Sequence, residues 1–342
     1  MKAGIIGCGS IAKFRHAPEY SENPYVDEIV FYDRNMERSR GLAELFGGSM
    51  VENVEELFEN PGIEVISDCS SNENHHVFST RALLSGKHVL CEKPISLTVT
   101  DAEKILDAQK KSGKKLMVGH NQRFNRAHQK AREIIVSGEL GRLLTFKLSF
   151  GHKGPEHWGV NKTKSTWFFK KDRSNLGVAG DLGIHKIDLL QYLLDDQVAL
   201  VSSFQGTLDK VDELGKPIEV CDNIVSNLKM SNGQLGTASF SWTYYGEEDN
   251  STILYFEKGI MKVYDDPDYQ IKINNHGGEQ VKYELGAMQT NDNQTSTGVI
   301  DSFIESIRLD KDPVVTGEDA VASLKVVLAM LKSAENGAVV EV

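Results

Sequence analysis

The first part of the chain alternates short apolar runs with amphipathic segments. The apolar runs predict buried strands at Lys2–Ile6, Glu28–Tyr32, Glu64–Asp68, His88–Cys91 and Leu116–Val118. The amphipathic segments predict helices at Ile11–Tyr20, Met36–Phe46, Val77–Leu84 and Asp101–Lys111. Strands separated by helices of this length favour βαβ units and a mostly parallel sheet.

The pattern changes after Phe124. Strands with short connections are predicted at Arg142–Phe150, Leu200–Thr207, Asn223–Lys229, Leu235–Trp242, Thr252–Phe256 and Ile260–Tyr264. Asn232-Gly233 suits a tight hairpin turn, because these residues accept positive φ angles. Two helical patterns close the chain, at Val299–Arg308 and Glu318–Glu335. We therefore expect an α/β protein with two domains, residues 1–123 and 124–342, whose last helix (318–335) can pack back on the first domain.

Composition narrows the classes of protein. The chain has 342 residues and a net charge of −11, which argues against nucleic-acid binding, since that needs a basic surface. No apolar run has the roughly 18 residues of a membrane span, and Met1 leads into a strand without a signal-peptide pattern. The four cysteines have neither metal-type spacing nor a disulfide framework. We expect a protein of the reducing cytoplasm, without a metal, nucleic-acid or membrane partner.

A glycine-rich turn follows the first predicted strand. Gly7 allows a sharp turn, Gly9 allows backbone to approach a pyrophosphate, and the small Ala12 allows the helix to pack close to the sheet. The N–H groups at the helix start and the helix dipole favour phosphate there. The alternative is a plain tight turn, but the position between strand and helix is the one that dinucleotide binding requires.

Asp33 ends the second strand, about 20 residues after the turn, where dinucleotide-binding domains carry an acidic residue. A carboxylate there accepts hydrogen bonds from the adenine ribose and repels a 2′-phosphate. The residue predicts NAD, while Arg34 and Arg38 leave NADP possible because either could meet a phosphate. A plain turn residue is the alternative.

The run His88–Pro94 ends abruptly on Glu92, Lys93 and Pro94. Lysine is poorly placed for stability at the end of a buried strand, but ligands gather outside the carboxyl ends of strands in open α/β sheets. Lys93 is therefore a candidate for contact with a ligand. The alternative is a surface lysine at a strand end.

Asp181 and His185 are four residues apart, and Asp188 follows, so all three share one face of a regular helix. A histidine oriented by a carboxylate suits general acid–base catalysis near neutral pH. Two alternatives remain open. Asp181 could be a helix N-cap, and His185 could be a hydrogen-bonded core histidine.

A second polar and aromatic cluster spans residues 151–158 and leads to Trp167, Phe168 and Phe169. His157 and Trp167 are candidates for contact with a sugar ring at the mouth of a substrate site. The alternative is a loop that packs over a sheet or against a neighbouring subunit. The histidines have no zinc-type partners at useful spacing.

Taken in order, these motifs resemble the NAD(P)-dependent oxidoreductase family named after glucose–fructose oxidoreductase, inositol dehydrogenase and the rhizopine-catabolism protein. The residues that carry the resemblance lie at 7–12, 70–75, 92–94, 119–124, 181–188 and 315–320. It covers essentially the whole chain. It implies an N-terminal Rossmann domain and a C-terminal α/β domain with a large open, mainly antiparallel sheet.

The resemblance also implies a role for each residue. The pyrophosphate would be held by Gly7, Gly9, Ser10 and Ile11, and the adenosine by Asp33 and Arg34. The rest of the cofactor's path would be lined by Ser70, Asn72, His75, Glu92, Asn121 and Arg123. Lys93 would lie between the cofactor and the substrate, in contact with both, and would polarise the reacting oxygen. His185 would exchange the proton of that oxygen, and Asp181 would orient His185 or bind substrate. Asn121, His157 and Trp167 complete the predicted substrate contacts.

Three departures from the family pattern concern the pocket more than the activity: Ser70-Ser71-Asn72 without a proline, Asn175-Leu176-Gly177 in place of three glycines, and His120 in place of an aromatic residue. The expected activity is an NAD(H)-dependent dehydrogenase of a sugar or cyclitol. An NADPH-dependent reductase of a keto- or anhydro-sugar and a regulator without turnover are the alternatives. Since few predicted helices cover the C-terminal sheet, we also expect a homodimer or homotetramer.

Overall fold

The computed structural model describes residues 1–159, 162–288 and 294–342, and these form two compact units. Met1–Asn121 belongs to the first unit together with residues 294–321, and residues 122–288 and 322–342 belong to the second. None of the helices in these ranges is both long enough and apolar enough to cross a membrane.

The first unit has a six-stranded parallel sheet in the order β3-β2-β1-β4-β5-β6. Its strands are β1 (Lys2–Ile6), β2 (Glu28–Tyr32), β3 (Ser49–Met50), β4 (Ile63–Asp68), β5 (His88–Cys91) and β6 (Leu116–Val118). The helices among them are α1 (Ala17–Glu22), α2 (Met36–Phe46), α3 (Glu55–Glu59), α4 (His75–Leu84) and α5 (Val99–Ser112). The prediction of a Rossmann-type parallel sheet is confirmed; β3 and α3 are additions to it.

The strand register brings four segments to one edge of this sheet. Ile6 pairs with both Tyr32 and Asp68, and Asp68 pairs with Cys91. The residues that follow β1, β2, β4 and β5 therefore leave the sheet side by side. This is the edge at which ligands bind in open α/β sheets.

Residues 294–321 differ from the expected division, which placed them in the second domain. They include α8 (Val299–Arg308) and the start of α9 (Gly317–Asn336). The buried carboxylate of Glu19 accepts the backbone N–H groups of Thr297, at 2.7 Å, and Ile300, at 3.1 Å, at the start of α8. The N–H of Val118 donates to the carbonyl of Val315 at 3.3 Å. Hydrogen bonds far apart in sequence thus join this segment to the first unit.

The second unit has a nine-stranded sheet in the order β14-β13-β12-β11-β7-β10-β9-β8-β15. Its strands are β7 (Leu143–Gly151), β8 (Val198–Gly206), β9 (Asn223–Met230), β10 (Leu235–Ser241), β11 (Thr252–Phe256), β12 (Gly259–Val263), β13 (Ile271–Asn275), β14 (Gln280–Tyr283) and β15 (Val340–Glu341). Its helices are α6 (Arg126–Ser137), α7 (Ile184–Leu194) and the later part of α9. Only β7 and β10 pair in parallel, so the expected mainly antiparallel sheet is confirmed.

Candidate active site

The glycine turn after β1 has the geometry expected of a phosphate-binding loop. Gly7 has a φ of +89°, and a Cβ at this position would lie 2.6 Å from the carbonyl oxygen of Cys69. Any other residue would have a strained backbone and a steric clash here, so the position requires glycine. A Cβ at Gly9 would meet no atom within 4 Å. The turn leaves open space where backbone could approach a pyrophosphate, and Ser10 and Ile11 lead directly into the helical segment.

Asp33 is fixed beside this turn. One carboxylate oxygen accepts the N–H of Cys8 at 2.8 Å, and the other accepts the N–H of Asn35 at 2.8 Å. Asp33 thus joins the end of β2 to the glycine turn, while a carboxylate oxygen can accept more than one hydrogen bond. Arg34 is exposed at the next position. The arrangement suits recognition of a ribose next to a pyrophosphate.

The helix after the turn begins irregularly. Ala12–His16 forms a wide π-helical turn before α1 starts. This turn brings two consecutive buried side chains to Glu92, because Arg15 Nη1 and His16 Nε2 each lie 2.9 Å from the same carboxylate oxygen, Oε1. Burial alone would raise the pKa of Glu92, but Arg15 and His16 outweigh it and lower the pKa to about 2. Glu92 is therefore a buried carboxylate anion.

Three further side chains extend this network. His16 Nδ1 lies 3.0 Å from the hydroxyl oxygen of Ser67, which lies 2.8 Å from the hydroxyl of Tyr20. The second terminal nitrogen of Arg15 donates to Gln294. Sequence reasoning missed these partners, because they are up to 279 positions apart and no local motif marks them.

The loop after β4 holds three predicted cofactor residues. The hydroxyl of Ser70 donates to Asp68 at 2.6 Å, and Asn72 is buried at the start of a short helical turn, Asn72–Asn74. His75 is buried, with Nδ1 2.7 Å from the carbonyl oxygen of Pro94 and Nε2 3.1 Å from that of Ser70. Both ring nitrogens are engaged with backbone, so the contact with cofactor that we predicted for His75 would require one of these bonds to break.

Lys93 follows Glu92 at the end of β5 and is partly buried. Its backbone N–H donates to Glu92 Oε2 at 3.3 Å. Gly119 leaves space for the same carboxylate, because a Cβ there would lie 2.7 Å from Glu92 Oε1. The side chain that we predicted to polarise a substrate oxygen therefore extends from a backbone segment packed against a buried anion.

In the second unit, Asp181 and His185 lie on either side of a change in helix geometry. Ala179–Gly183 is another wide π-helical turn, and regular helix begins at Ile184. The N-cap of this turn is Val178 and that of the regular helix is Gly183, so Asp181 occupies neither N-cap position. Its carboxylate accepts the indole N–H of the buried Trp242 at 3.0 Å. His185 is partly exposed, unlike a core histidine.

Two residues of the predicted motifs, Arg123 and Asp188, bind each other. Arg123 and Asp188 form a buried two-point ion pair, with nitrogen–oxygen distances of 2.8 and 2.7 Å. Arg123 belongs to the second unit and Asn121 to the first. Asp188 is thus engaged by Arg123, and the guanidinium predicted to lie near the nicotinamide is bound in this ion pair.

An aromatic series runs from His185 into the loop after β7. Its members are His185, Phe150, His152, Trp158, Phe168 and Trp167. Neighbouring ring centroids are between 3.9 and 6.4 Å apart, and the closest pair, Trp167 and Phe168, is stacked. The structure therefore joins the predicted loop aromatics to the predicted catalytic histidine within one unit.

His157 lies beside this series but contacts an acidic neighbour. Its Nε2 is 3.6 Å from Glu156, which also accepts a hydrogen bond from the buried ammonium of Lys210 at 2.6 Å. Lys210 further donates to the carbonyl of Lys153 at 2.6 Å. These contacts fix the start of the loop and leave the His157 side chain about half exposed.

Lys186, directly after His185, is a second feature that sequence reasoning missed. It is fully buried, and its ammonium donates to the carbonyl of Asn250 at 2.7 Å and to the hydroxyl of Thr252 at 3.0 Å. Burial lowers the pKa of Lys186 to about 7. No local motif marks Lys186 as buried, because its neighbours His185 and Asp188 are polar as well.

The first unit thus fits a bound dinucleotide on three counts: a glycine with positive φ at the turn, open space over the second glycine, and a fixed carboxylate at the end of β2. No group of three or more histidine, cysteine or acidic side chains is placed to hold a metal ion in the residues that the structure describes.

Known proteins are similar to this chain in structure or in sequence. Levoglucosan dehydrogenase, solved as a complex with NADH and levoglucosan, has a TM-score of 0.88 at 20% identity, over 100% of this chain and 99% of that one. Myo-inositol 2-dehydrogenase of Thermotoga maritima is 24% identical over 98% of this chain and 96% of its own length. Glucose-6-phosphate 3-dehydrogenase of Bacillus subtilis is 32% identical, over 57% of this chain and 54% of its own.

Two family models match consecutive parts of the sequence. Residues 1–120 match an oxidoreductase family with an NAD-binding Rossmann fold, and residues 128–262 match the GFO/IDH/MocA C-terminal domain. Together they cover about three quarters of the chain. The protein therefore belongs to the GFO/IDH/MocA family and is an NAD-binding oxidoreductase.

Proposed function

We propose that this protein is an NAD(H)-dependent dehydrogenase that oxidises a secondary alcohol of a sugar, sugar derivative or cyclitol. The observation that carries the proposal is the edge of the parallel sheet. There the glycine turn, Asp33 and the Glu92–Lys93 pair follow β1, β2 and β5 of one parallel sheet, so a dinucleotide-binding loop and a lysine share one ligand-binding edge. The relatives named myo-inositol 2-dehydrogenase and glucose-6-phosphate 3-dehydrogenase support the substrate class.

The side chains of the protein accept the proton and stabilise the charge that develops in the reaction. In the oxidation, the carbinol C–H bond breaks and its electron pair leaves as hydride, while the C–O bond becomes a carbonyl and the hydroxyl proton goes to His185. Lys93 stabilises the negative charge that develops on the oxygen. Asp181, held by Trp242, orients the imidazole or binds a neighbouring hydroxyl. When bound, the nicotinamide is the hydride acceptor.

The test is a substrate panel. Purified protein is mixed with NAD⁺ and with cyclitols, free sugars, sugar phosphates and nucleotide sugars in turn, and NADH formation is followed by absorbance. We expect turnover with at least one member. Turnover only of keto- or anhydro-sugars with NADPH would favour the reductase alternative, which uses the same residues in reverse. Tight NADH binding without turnover of any substrate would favour a regulator.

We also propose that the protein is a homo-oligomer that packs through the nine-stranded sheet. Phe204 and Val225 are directly paired on β8 and β9, and their exposed fractions are 80% and 54%. Leu235 on β10 is 57% exposed. A sheet face with exposed apolar side chains is stabilised when a second sheet covers it.

Light scattering after size exclusion tests the assembly. We expect a dimer or tetramer for the wild type and a smaller species for Phe204→Glu, which places a charge on this face. Val136→Glu, at an exposed position on α6, is the control. A wild-type particle of 38.0 kDa at micromolar concentration would contradict the proposal.

The four free cysteines support a reducing compartment, and we propose the cytoplasm.

A further inference from the structure

The lysine segment, Glu92–Pro94, is held from both sides by buried histidines of the first unit. His16 contacts the carboxylate of Glu92, and His75 contacts the carbonyl of Pro94. Lys93 lies between these two contacts. Neither histidine has a role in the hydride chemistry described above.

At His16, the charge of Glu92 determines which atom of each hydrogen bond donates and which accepts. Glu92 is ionised, so its oxygens only accept, and His16 Nε2 must carry the donated proton. Arg15 donates to the same oxygen, and Glu92 Oε2 accepts the N–H of Lys93. The imidazole therefore reaches the backbone of Lys93 through one buried carboxylate.

The His75 side is fixed in a different way. Both ring nitrogens face carbonyl oxygens, which only accept, so both must donate and the ring must carry a positive charge. The charged or titratable groups that face it are Asp68 at the end of β4 and Cys91 at the end of β5. Burial disfavours the charged ring, but Cys91, Asp68 and the Pro94 carbonyl together raise the pKa of His75.

We propose that His16 and His75 are positioning residues that fix the backbone on either side of Lys93 and so set the place of its ammonium group. This rests on the proposed role of Lys93. A lysine side chain is flexible, so its reach is defined largely by the backbone from which it extends. Misplacement of a catalytic group by about 1 Å can cost on the order of 100-fold in rate. His16, His75 and Lys93 lie in different segments of the sequence, and hydrogen bonds join these segments.

The experiment replaces each histidine with glutamine, whose amide has one nitrogen and one oxygen and so donates from only one of the two sites that the ring nitrogens occupy. His128→Gln is the matched control, since His128 is a buried histidine of the second unit that bonds one backbone carbonyl, of Gln122. Turnover is measured with the best substrate of the panel, NADH affinity by fluorescence titration, and folding by thermal melting. Backbone hydrogen exchange is followed in a peptide that covers residues 88–98 and in one that covers β7.

For His16→Gln and His75→Gln we expect kcat to fall about 10-fold or more, with NADH affinity within about threefold of wild type. Exchange should accelerate in residues 88–98 and stay unchanged in β7, and the control should keep its kcat. A purely structural role would lower the melting temperature and leave the kcat of the folded enzyme unchanged, which would overturn the proposal.

The exchange measurement separates this proposal from the proposed function. If the wild type turns over no substrate, the dehydrogenase assignment fails, while faster exchange in residues 88–98 of both variants would still support the positioning of the segment. Unchanged exchange there in both folded variants would overturn the proposal whatever the activity.

Discussion

The lysine segment and the surroundings of His185 are held by different interactions. Glu92–Pro94 is fixed by charged and directional hydrogen bonds from Arg15, His16 and His75. His185 lies at one end of a series of aromatic contacts that extends into a loop. Charged hydrogen bonds define one geometry, whereas ring contacts tolerate changes of angle and partner. We infer that the first region serves chemistry that does not depend on the substrate, and the second adapts to its shape.

The largest expected effect is on the chemical step. His185→Ala should reduce turnover at least about 100-fold, since general acid–base groups contribute ~10²–10⁴-fold. Lys93→Met, which deletes the charge at similar length, should be comparably damaged, while NADH affinity stays near wild type in both. Asp181→Asn should be milder if the carboxylate only orients the imidazole. Single-turnover NADH absorbance is the measurement, with Lys111→Met and His276→Ala as exposed controls. Near-wild-type rates in both variants would remove the assigned roles.

Acid should weaken the first unit before the second. Glu92 has a folded pKa of about 2 against about 4.5 when unfolded, so its stabilisation is present above pH 4.5 and is lost as the pH falls towards 2. The loss is on the order of 3 kcal/mol. All three tryptophans, Trp158, Trp167 and Trp242, lie in the second unit. At pH 3, the far-UV circular dichroism signal should therefore change at a lower urea concentration than the tryptophan fluorescence does.

Glu92→Gln is the control for this experiment, because it cannot titrate. Its stability should depend less on pH between 5 and 3 than that of the wild type. The proposal is contradicted if both signals change at the same urea concentration at pH 3 and Glu92→Gln has the pH dependence of the wild type. In that case the buried anion does not make the first unit more sensitive to acid than the second.

A smaller effect is expected on cofactor choice. The wild type should bind NADH at least about 10-fold more tightly than NADPH, because Asp33 loses a hydrogen bond to ribose and meets a 2′-phosphate. Asp33→Asn should reduce this ratio, and Asp107→Asn, on the exposed face of α5, should not. The two dissociation constants are measured by fluorescence titration. Tighter binding of NADPH by the wild type would mean that Arg34 or Arg38 outweighs Asp33.

The smallest effect should come from the aromatic series. Trp167→Leu is expected to raise KM about three- to tenfold with little change in kcat, because ring contacts contribute ~0.5–1.5 kcal/mol each. Tyr269→Leu, outside the series in the same unit, is the control. Steady-state kinetics with the best substrate separates the two constants. A loss of kcat without a change in KM would show that the series positions His185 instead of binding substrate.

Local sequence predicted much of the architecture. The bounds of β1, β2, β5, β6, β11, α2 and α8 agree with the expected segments, since each is a compact run with clear flanking residues. Helix α6 was missed although Asn125 caps its start and Gly138 its end, because the helix lies where the pattern turns to strands. Strands β13 and β14 were missed because polar turn residues interrupt their apolar alternation.

The site is harder to predict than the fold. Gly7, Asp33, Lys93 and His185 were chosen from local motifs, and their functional roles stay predictions. The contacts of Glu92 with His16 and of Asp181 with Trp242 join residues 76 and 61 positions apart. Such pairs depend on how elements pack, which neither periodicity nor motif spacing encodes.

The two π-helical turns have a consequence for the length of the chain. Each holds one residue more than a regular helical turn would need, and each directly precedes a helix that continues normally. Deleting one residue from Ala12–His16 would let the helix close into regular geometry and keep its hydrogen bonds. The same deletion would rotate every side chain before it relative to those after it. In these two places the number of residues, as much as their identity, sets where the side chains lie, and a chain one residue shorter there would place its side chains differently.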